Sequence, residues 1–310
     1  MTGFSADWLA LREPFDLAAR ARSADALALR SLAGRLRGTG VLRVMDLACG
    51  TGANVRALAP RFGGAQQWLL VDHDPALLAA LPQHFAAWAL SQGLAWHTLA
   101  EGWRLEGADW QADILFRRVD LATRLDTLPF HAAQLVTASA LLDLVSTDWL
   151  DGLLGNAIAA RSALLFALTV DGRVAFDEVD ADDAAIHALF SAHQRGDKGF
   201  GLALGTDAAT RFIARLATTD FRVAQARSDW VIEPPHHAML EAMIQGMASA
   251  ALEQDASAQA RVQAWQSRRM AAIEHTALRI GHVDVLAEPA PAEEVPARRS
   301  RSHNTSSPIR

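Results

Sequence analysis

A single cysteine, Cys49, stands among 310 residues, so no internal disulfide can form. No stretch reaches the roughly 18 uninterrupted apolar residues of a membrane span. The opening residues MTGFSADWLALREPFD lack a basic segment followed by an apolar run of signal length, so the expected location is the cytoplasm. Positive charge is also short: 29 Lys and Arg against 35 Asp and Glu leave −6, with a pI near 6.0. That balance gives no overall attraction for nucleic acid or an anionic membrane, and small molecules become the expected partners. Tyrosine is missing beside nine tryptophans and abundant Ala and Arg, a compositional bias without functional content. Apolar residues are plentiful. At 51% hydrophobic and a mean hydropathy of +0.08, the chain can bury a full core as one large domain, or as a domain with an insertion.

Leucines spaced among Ala and Arg between residues 7 and 37 predict one or two amphipathic helices, a cap spanning residues 1–40. From residue 41, short apolar runs alternate with helical patterns: VLRVMDL (41–47), QQWLLVD (66–72), DILFRRVD (113–120), AQLVTAS (133–139) and SALLFALTV (162–170) as strands, with helices at 53–62, 75–90 and from about Thr147. Such alternation predicts an α/β domain, a mostly parallel sheet with helices on both faces, over residues 41–233. FRVAQARSDWVI (221–232) suggests a long strand or a hairpin, residues 234–276 a helical insertion, and residues 277–288 the last strand. PAPAEEVPARRSRSHNTSSPIR (289–310) has no apolar periodicity and is expected to be a disordered tail.

The stretch VMDLACGTGANVRAL (44–58) crosses a small-residue turn between a strand and a helix. A dinucleotide fingerprint needs a third glycine, and Val55 stands there; a P-loop needs Gly-Lys-Ser or Gly-Lys-Thr, which does not follow. What stands instead is an acid, Asp46, ending the first strand ahead of Gly50 and Gly52. It would repel a pyrophosphate but suits a ligand carrying an ammonium or sulfonium group.

These residues resemble the first motif of class I S-adenosylmethionine-dependent methyltransferases, an acid followed by a glycine-rich loop, with Ala48 replacing the first glycine. WLLVDHDPALL is similar to the second motif, and RRVDLATRLDTLPFHAAQLVTASALLDLV to the next two. The resemblance covers residues 41–170 well and the final strands loosely. It implies a Rossmann-like sheet of seven strands, S-adenosyl-L-methionine as cofactor, and methyl transfer. It further implies that Asp46, Ala48, Gly50 and Gly52 lie at the methionyl part, that Asp72 grips both ribose hydroxyls, and that Asp120 with Leu121 sits at the adenine.

Because the donor is already activated, alignment supplies much of the rate, and the acceptor residues vary with the loops. The chain has SALLDLV where nucleic-acid amino methyltransferases carry Asn or Asp followed by Pro-Pro and an aromatic, a further sign of a small-molecule acceptor. Asp143, past the fourth strand, is a candidate catalytic residue for orienting a cationic or hydroxyl group, with a helix-start acid as the structural alternative. His193, Arg195 and Lys198 in FSAHQRGDKGFGLALG (190–205), with Arg12 from the cap, are candidates for an anionic acceptor, against the alternative of solvated charges. Cys49 has no His placed to activate it, and the adjacent His236 and His237 and the six-residue step from His187 to His193 do not match metal-ligand spacing, so no metal is expected. The same intact loop would also fit a non-catalytic sensor or scaffold that only binds the adenosyl ligand. The oligomeric state is not encoded in any of these patterns.

Overall fold

The structure is a computed structural model and describes residues 5–291. The tail expected to be disordered lies, from residue 292 on, outside the described residues.

The first helix, α1 (Ala6–Ala26), starts where the Ser5 side chain accepts the Trp8 N–H, and carries Pro14 in its interior. α2 (Leu29–Arg37) follows and leads into β1 (Leu42–Leu47), the turn of interest, α3 (Ala53–Phe62) and β2 (Gly64–Asp72). α4 (Pro75–Gln92) is started by the Asp74 side chain on the Ala76 N–H with Pro at its first position. Two short strands, β3 (Ala95–Thr98) and β4 (Trp103–Glu106), precede β5 (Trp110–Arg118), the single-turn α5 (Leu121–Arg124) and β6 (Leu135–Ser139). α6 (Thr147–Ala160), β7 (Ala163–Phe176), α7 (Asp183–Gln194), α8 (Ala208–Leu216), β8 (Phe221–Arg227) and β9 (Trp230–Ile232) follow. α9 (His237–Gln254) and α10 (Gln259–Ala271) then stand between β9 and β10 (Leu278–Pro289).

The sheet runs β3-β4-β5-β2-β1-β6-β7-β10-β8, with β9 also on β10. β5, β2, β1, β6 and β7 are mutually parallel, while β10 is antiparallel to β7 and to β8 and β9. The chain builds outward from β1 in one direction and then restarts at β6 in the other. The crevice between the carboxyl ends of β1 and β6 is therefore the topological switch point, where open α/β sheets bind ligands. One apolar layer joins α6 and α8 to one face through Leu150, Leu153 and Phe212, and another joins α2, α3 and α4 to the opposite face through Leu32, Phe62 and Phe85. A third cluster packs α7, α9 and α10 against Ala19 of α1, Trp230 and Ile280.

The expected fold class, an α/β sheet that is mostly parallel with helices on both faces, is the one found. The strand count is higher than seven, because residues 95–106 form the β3–β4 hairpin that extends the sheet beyond β5. Strands of four residues are too short for their alternation to be visible. The expected long strand at 221–232 is one lane along β10, interrupted at Ser228 and Asp229. The reason is a buried hub. Asp284 of β10 accepts hydroxyl bonds from Ser228 (2.5 Å) and from Ser23 of α1 (2.5 Å), and the N–H of Leu168 (2.8 Å). Leu168 adopts φ +55, a costly left-handed conformation for a bulky residue, at an irregularity in the β7–β10 pairing. Its N–H is thereby turned onto the carboxylate. No helix among the described residues is long and apolar enough to cross a membrane.

Candidate active site

The turn after β1 takes three left-handed residues in sequence: Ala48 at φ +52, Gly50 at +53 and Gly52 at +81. Ala48 thus holds the conformation that a glycine would adopt without strain. Gly52 serves packing: a Cβ there would lie 2.5 Å from Phe85 Cζ of α4. At Gly50 a Cβ would meet Leu9 Cδ1 of α1 at 3.2 Å. Three of the turn's N–H groups are taken, Cys49 on the Val71 carbonyl, Gly50 on Asp72 Oδ2 at 2.8 Å and Gly52 on the Cys49 carbonyl. A carboxylate, Asp72, already sits on the turn, which disfavours a phosphate there.

Two acids flank the turn. Asp46, fully buried at the end of β1, accepts Asn54 Nδ2 at 2.6 Å, and the same amide group donates to Thr137 Oγ1 at 3.2 Å. Asp46 Oδ2 and Asn54 Oδ1 have no hydrogen-bond partner among the described residues. Burial pushes the Asp46 carboxyl up to about 7, against the pull of the Asn54 bond and of Arg20. Asp72, at the end of β2, accepts the Gly50 N–H on one oxygen and the Asp74 N–H (3.0 Å) on the other. With about four lone pairs on a carboxylate, each oxygen keeps capacity for one more donor, and His73 Nδ1 lies 3.4 Å from Oδ1. Asp120 caps α5, taking the Ala122 N–H and the Thr123 hydroxyl at 3.0 Å each, and the Leu121 side chain is buried in the core while its carbonyl accepts Trp149 Nε1 at 2.7 Å.

α1 roofs the turn. Leu9, Arg12 and Asp16 line a cavity of about 60 Å³ together with residues 48–51, Ala53, Asn54, Ser139 and Ala140. Arg12 holds Asp16 through Nε and Nη2 at 3.0 and 3.2 Å and lies over the Trp230 ring, whose Nε1 also donates to Asp16 at 2.9 Å. Glu13 is gripped by Arg56 of α3 at 2.5 and 2.7 Å. On the far side of the crevice Asp143 is half-buried, its Oδ1 shielded from solvent and without a partner among the described residues; desolvation raises it to about 6, against the pull of Arg12.

The structure brings Arg12 to the cavity and Asp143 within its electrostatic reach, but it does not bring the other acceptor candidates there. His193 belongs to the last turn of α7, not to a loop, with Nε2 2.9 Å from Glu253 of α9. Arg195 donates to Thr206 at 3.3 Å and lies 3.5 Å from Asp207. Lys198 is three residues further on, and none of the three lines the cavity. A formal charge in a loop does not reveal which carboxylate of another element will take it. Burial raises the Cys49 thiol well above its usual range, which makes it a poor nucleophile. No group of three or more His, Cys, Asp or Glu among the described residues is placed to hold a metal. Sequence reasoning missed Asn54 and Asp16. Asn54 had a signal, an amide in the first turn of the helix after the glycines; Asp16 had none until α1 was laid across the strand ends.

No protein-family model and no curated protein matches the sequence. Among solved structures the chain is similar to an arsenic(III) S-adenosylmethionine methyltransferase of Chlamydomonas reinhardtii, at 17% identity and a TM-score of 0.39, over 82% of this chain and 65% of that one. It is also similar to an S-adenosylmethionine-dependent methyltransferase of Thiobacillus denitrificans crystallised with S-adenosyl-L-homocysteine, at 14% identity and 0.40, over 84% and 90% of the two chains. A third likeness is to the [4+2]-cyclase SpnF, at 14% identity and 0.36, over 85% and 81%. The chain spans just under two thirds of the length of the first of these. Likeness at this level carries no activity across.

Proposed function

We propose that the chain binds S-adenosylmethionine at the turn after β1 and transfers its methyl group to a cytoplasmic small molecule that enters between α1 and the turn after β6. One observation carries the reading: two buried oxygens, Asp46 Oδ2 and Asn54 Oδ1, have no partner among the described residues beside the glycine turn. Buried acceptors without donors suit an ammonium group and reject a pyrophosphate. When bound, the cofactor supplies an activated methyl group on a sulfonium centre.

The chain's residues do the rest. Asp46 and Asn54 hold the ammonium, and the remaining lone pairs of Asp72 take the ribose hydroxyls. Asp143, with its carboxyl raised to about 6, is ionised for the most part at neutral pH, yet basic enough to accept a proton from an acceptor hydroxyl or ammonium. α1 excludes water from the crevice. A cavity of about 60 Å³ is far below the roughly 300 Å³ of the smallest ligand pockets, so entry lifts the first turns of α1, where Leu9 covers Gly50.

Calorimetric titration with S-adenosylhomocysteine and with NAD tests the reading. The adenosyl ligand should bind and Asp72→Ala should weaken it at least tenfold with the circular dichroism spectrum kept, since two charge-assisted bonds of about 1.5–3 kcal/mol each are removed before water compensates. Binding of NAD without an adenosyl signal overturns it.

A further inference from the structure

Leu9, Arg12 and Asp16 line the cavity, and Arg20 continues their row along the same face of α1, at the three- and four-residue steps that bring helix side chains into line. Arg20 is 3% exposed. Its Nε and Nη2 have no hydrogen-bond partner among the described residues. The carboxylates whose charge acts on it are Asp284, Asp16 and Asp46, in that order. Asp16 forms the cavity wall, and Asp46 ends the strand that enters the turn at its floor. Each is engaged by other donors: Asp284 by Ser23, Ser228 and Leu168, Asp16 by Arg12 and Trp230, Asp46 by Asn54.

Nε and Nη2 form one edge of the guanidinium, the fork that matches a carboxylate with two parallel bonds. This chain uses that same edge repeatedly. Arg12 holds Asp16 with it, Arg56 holds Glu13, and Arg104 holds Asp113 at 2.5 and 2.8 Å. In Arg20 alone of these four the edge is buried and unmatched. A buried guanidinium edge without hydrogen bonds is costly, and a ligand that completes it offsets that cost.

We propose that Arg20 receives the carboxylate of the bound ligand through its Nε–Nη2 edge, so that Arg20 on α1 and the Asp46–Asn54 pair beneath the turn together recognise an α-amino-acid zwitterion. The proposal rests on the adenosyl reading above and adds to it the residue that selects for the amino-acid end. Carboxylate and ammonium then sit between groups of opposite charge whose free atoms are already aligned in number, two donors for one pole and two acceptors for the other.

The test is calorimetric and needs no turnover. S-adenosylhomocysteine is compared with its decarboxylated analogue, which keeps the adenosine, the sulfur and the amine. The wild-type protein should bind the analogue at least tenfold more weakly. In Arg20→Met the two ligands should bind within about twofold of each other, and Arg20→Lys should restore part of the difference. Should Arg20→Met fail to fold, Arg20→Gln, which keeps a polar group at the site, carries the same comparison. Equal wild-type affinity for the two ligands overturns the role of Arg20 while leaving the adenosyl reading in place. A difference that persists in Arg20→Met but vanishes in Arg12→Met moves the carboxylate to Arg12 and overturns it as well. Absence of any binding by S-adenosylhomocysteine overturns the adenosyl reading itself, and this proposal with it.

Discussion

Two arginines are buried in this protein to nearly the same depth and treated in opposite ways. Arg269 of α10 donates to the Glu178 carbonyl at 2.9 Å, pairs with Asp183 of α7, and lies 3.8 Å over the Phe176 ring. Around it Arg268 holds Asp180 and Asp182, so that each cation of the corner built by α7, α9 and α10 has a carboxylate, although Arg269 Nε is left without a hydrogen-bond partner among the described residues. Arg20, under α1, has a fork matched by nothing described. A buried cation whose partners are supplied by the fold is a fastener between elements. One whose neighbours are already engaged elsewhere is reserved, and the difference marks which of two charged regions concerns ligand chemistry.

The comparison breaks first at Arg269. Arg269→Met takes the cation from half-buried Asp183, which keeps only Trp265 Nε1 and the Asp180 N–H, and frees the Glu178 carbonyl; it should cost about 3 kcal/mol in chemical denaturation, whereas Arg20→Met, which removes no hydrogen bond of the described structure, should cost less than a third as much. Equal losses would mean that both arginines are fasteners.

The two regions should also answer pH with opposite sign. Burial raises Asp46 from 3.8 to about 7, so the folded chain binds its proton more readily than the unfolded chain. Its contribution to stability is full below about 4 and declines as pH climbs toward 7. Bonds from Arg268 lower Asp180 from 3.8 to about 2, so its contribution is present above about 4 and is lost as pH falls toward 2. Denaturation midpoints across this range for the wild type, Asp46→Asn and Asp180→Asn should show the first substitution relieving a loss on the alkaline side and the second removing a loss on the acid side. A wild-type curve parallel to Asp46→Asn between pH 4 and 7 would contradict the raised value.

The smallest effect is expected at the turn. Ala48→Gly removes a left-handed alanine and should stabilise the chain by roughly 1 kcal/mol, measured as a shift in denaturation midpoint without a change in slope.

The parallel strands were legible because each is a short apolar run closed by an acid or a small residue, and the glycine turn because it breaks that rhythm at one place. Trp96 and Trp103 lie in strands of four residues, too brief to announce a period, so the hairpin was not. Asp46, Ala48, Gly50 and Asp72 are found at the crevice because the ends of adjacent parallel strands must meet. His193 and Arg195 could not be placed, since their partners, Glu253, Thr206 and Asp207, belong to segments whose approach depends on tertiary packing. Arg20 was hidden for a related reason. A row of Arg and Asp on one helix face looks like a wet surface until the helix is laid across the ends of a sheet.

Pro14 gives that helix a sense of time. Proline has no N–H for the carbonyl one turn earlier, so α1 is weakest near its middle; the residues beyond are tied down by Arg22 on the Asp229 carbonyl (2.8 Å) and Ser23 on Asp284, and those before it by Glu13 on Arg56, the clasp that must open first. A ligand that must wait for residues 6–13 to swing away is captured no faster than they open. Stopped-flow binding should therefore reach a plateau at high ligand concentration, at the opening frequency of one short stretch of helix, and the bound ligand should leave by the same slow door.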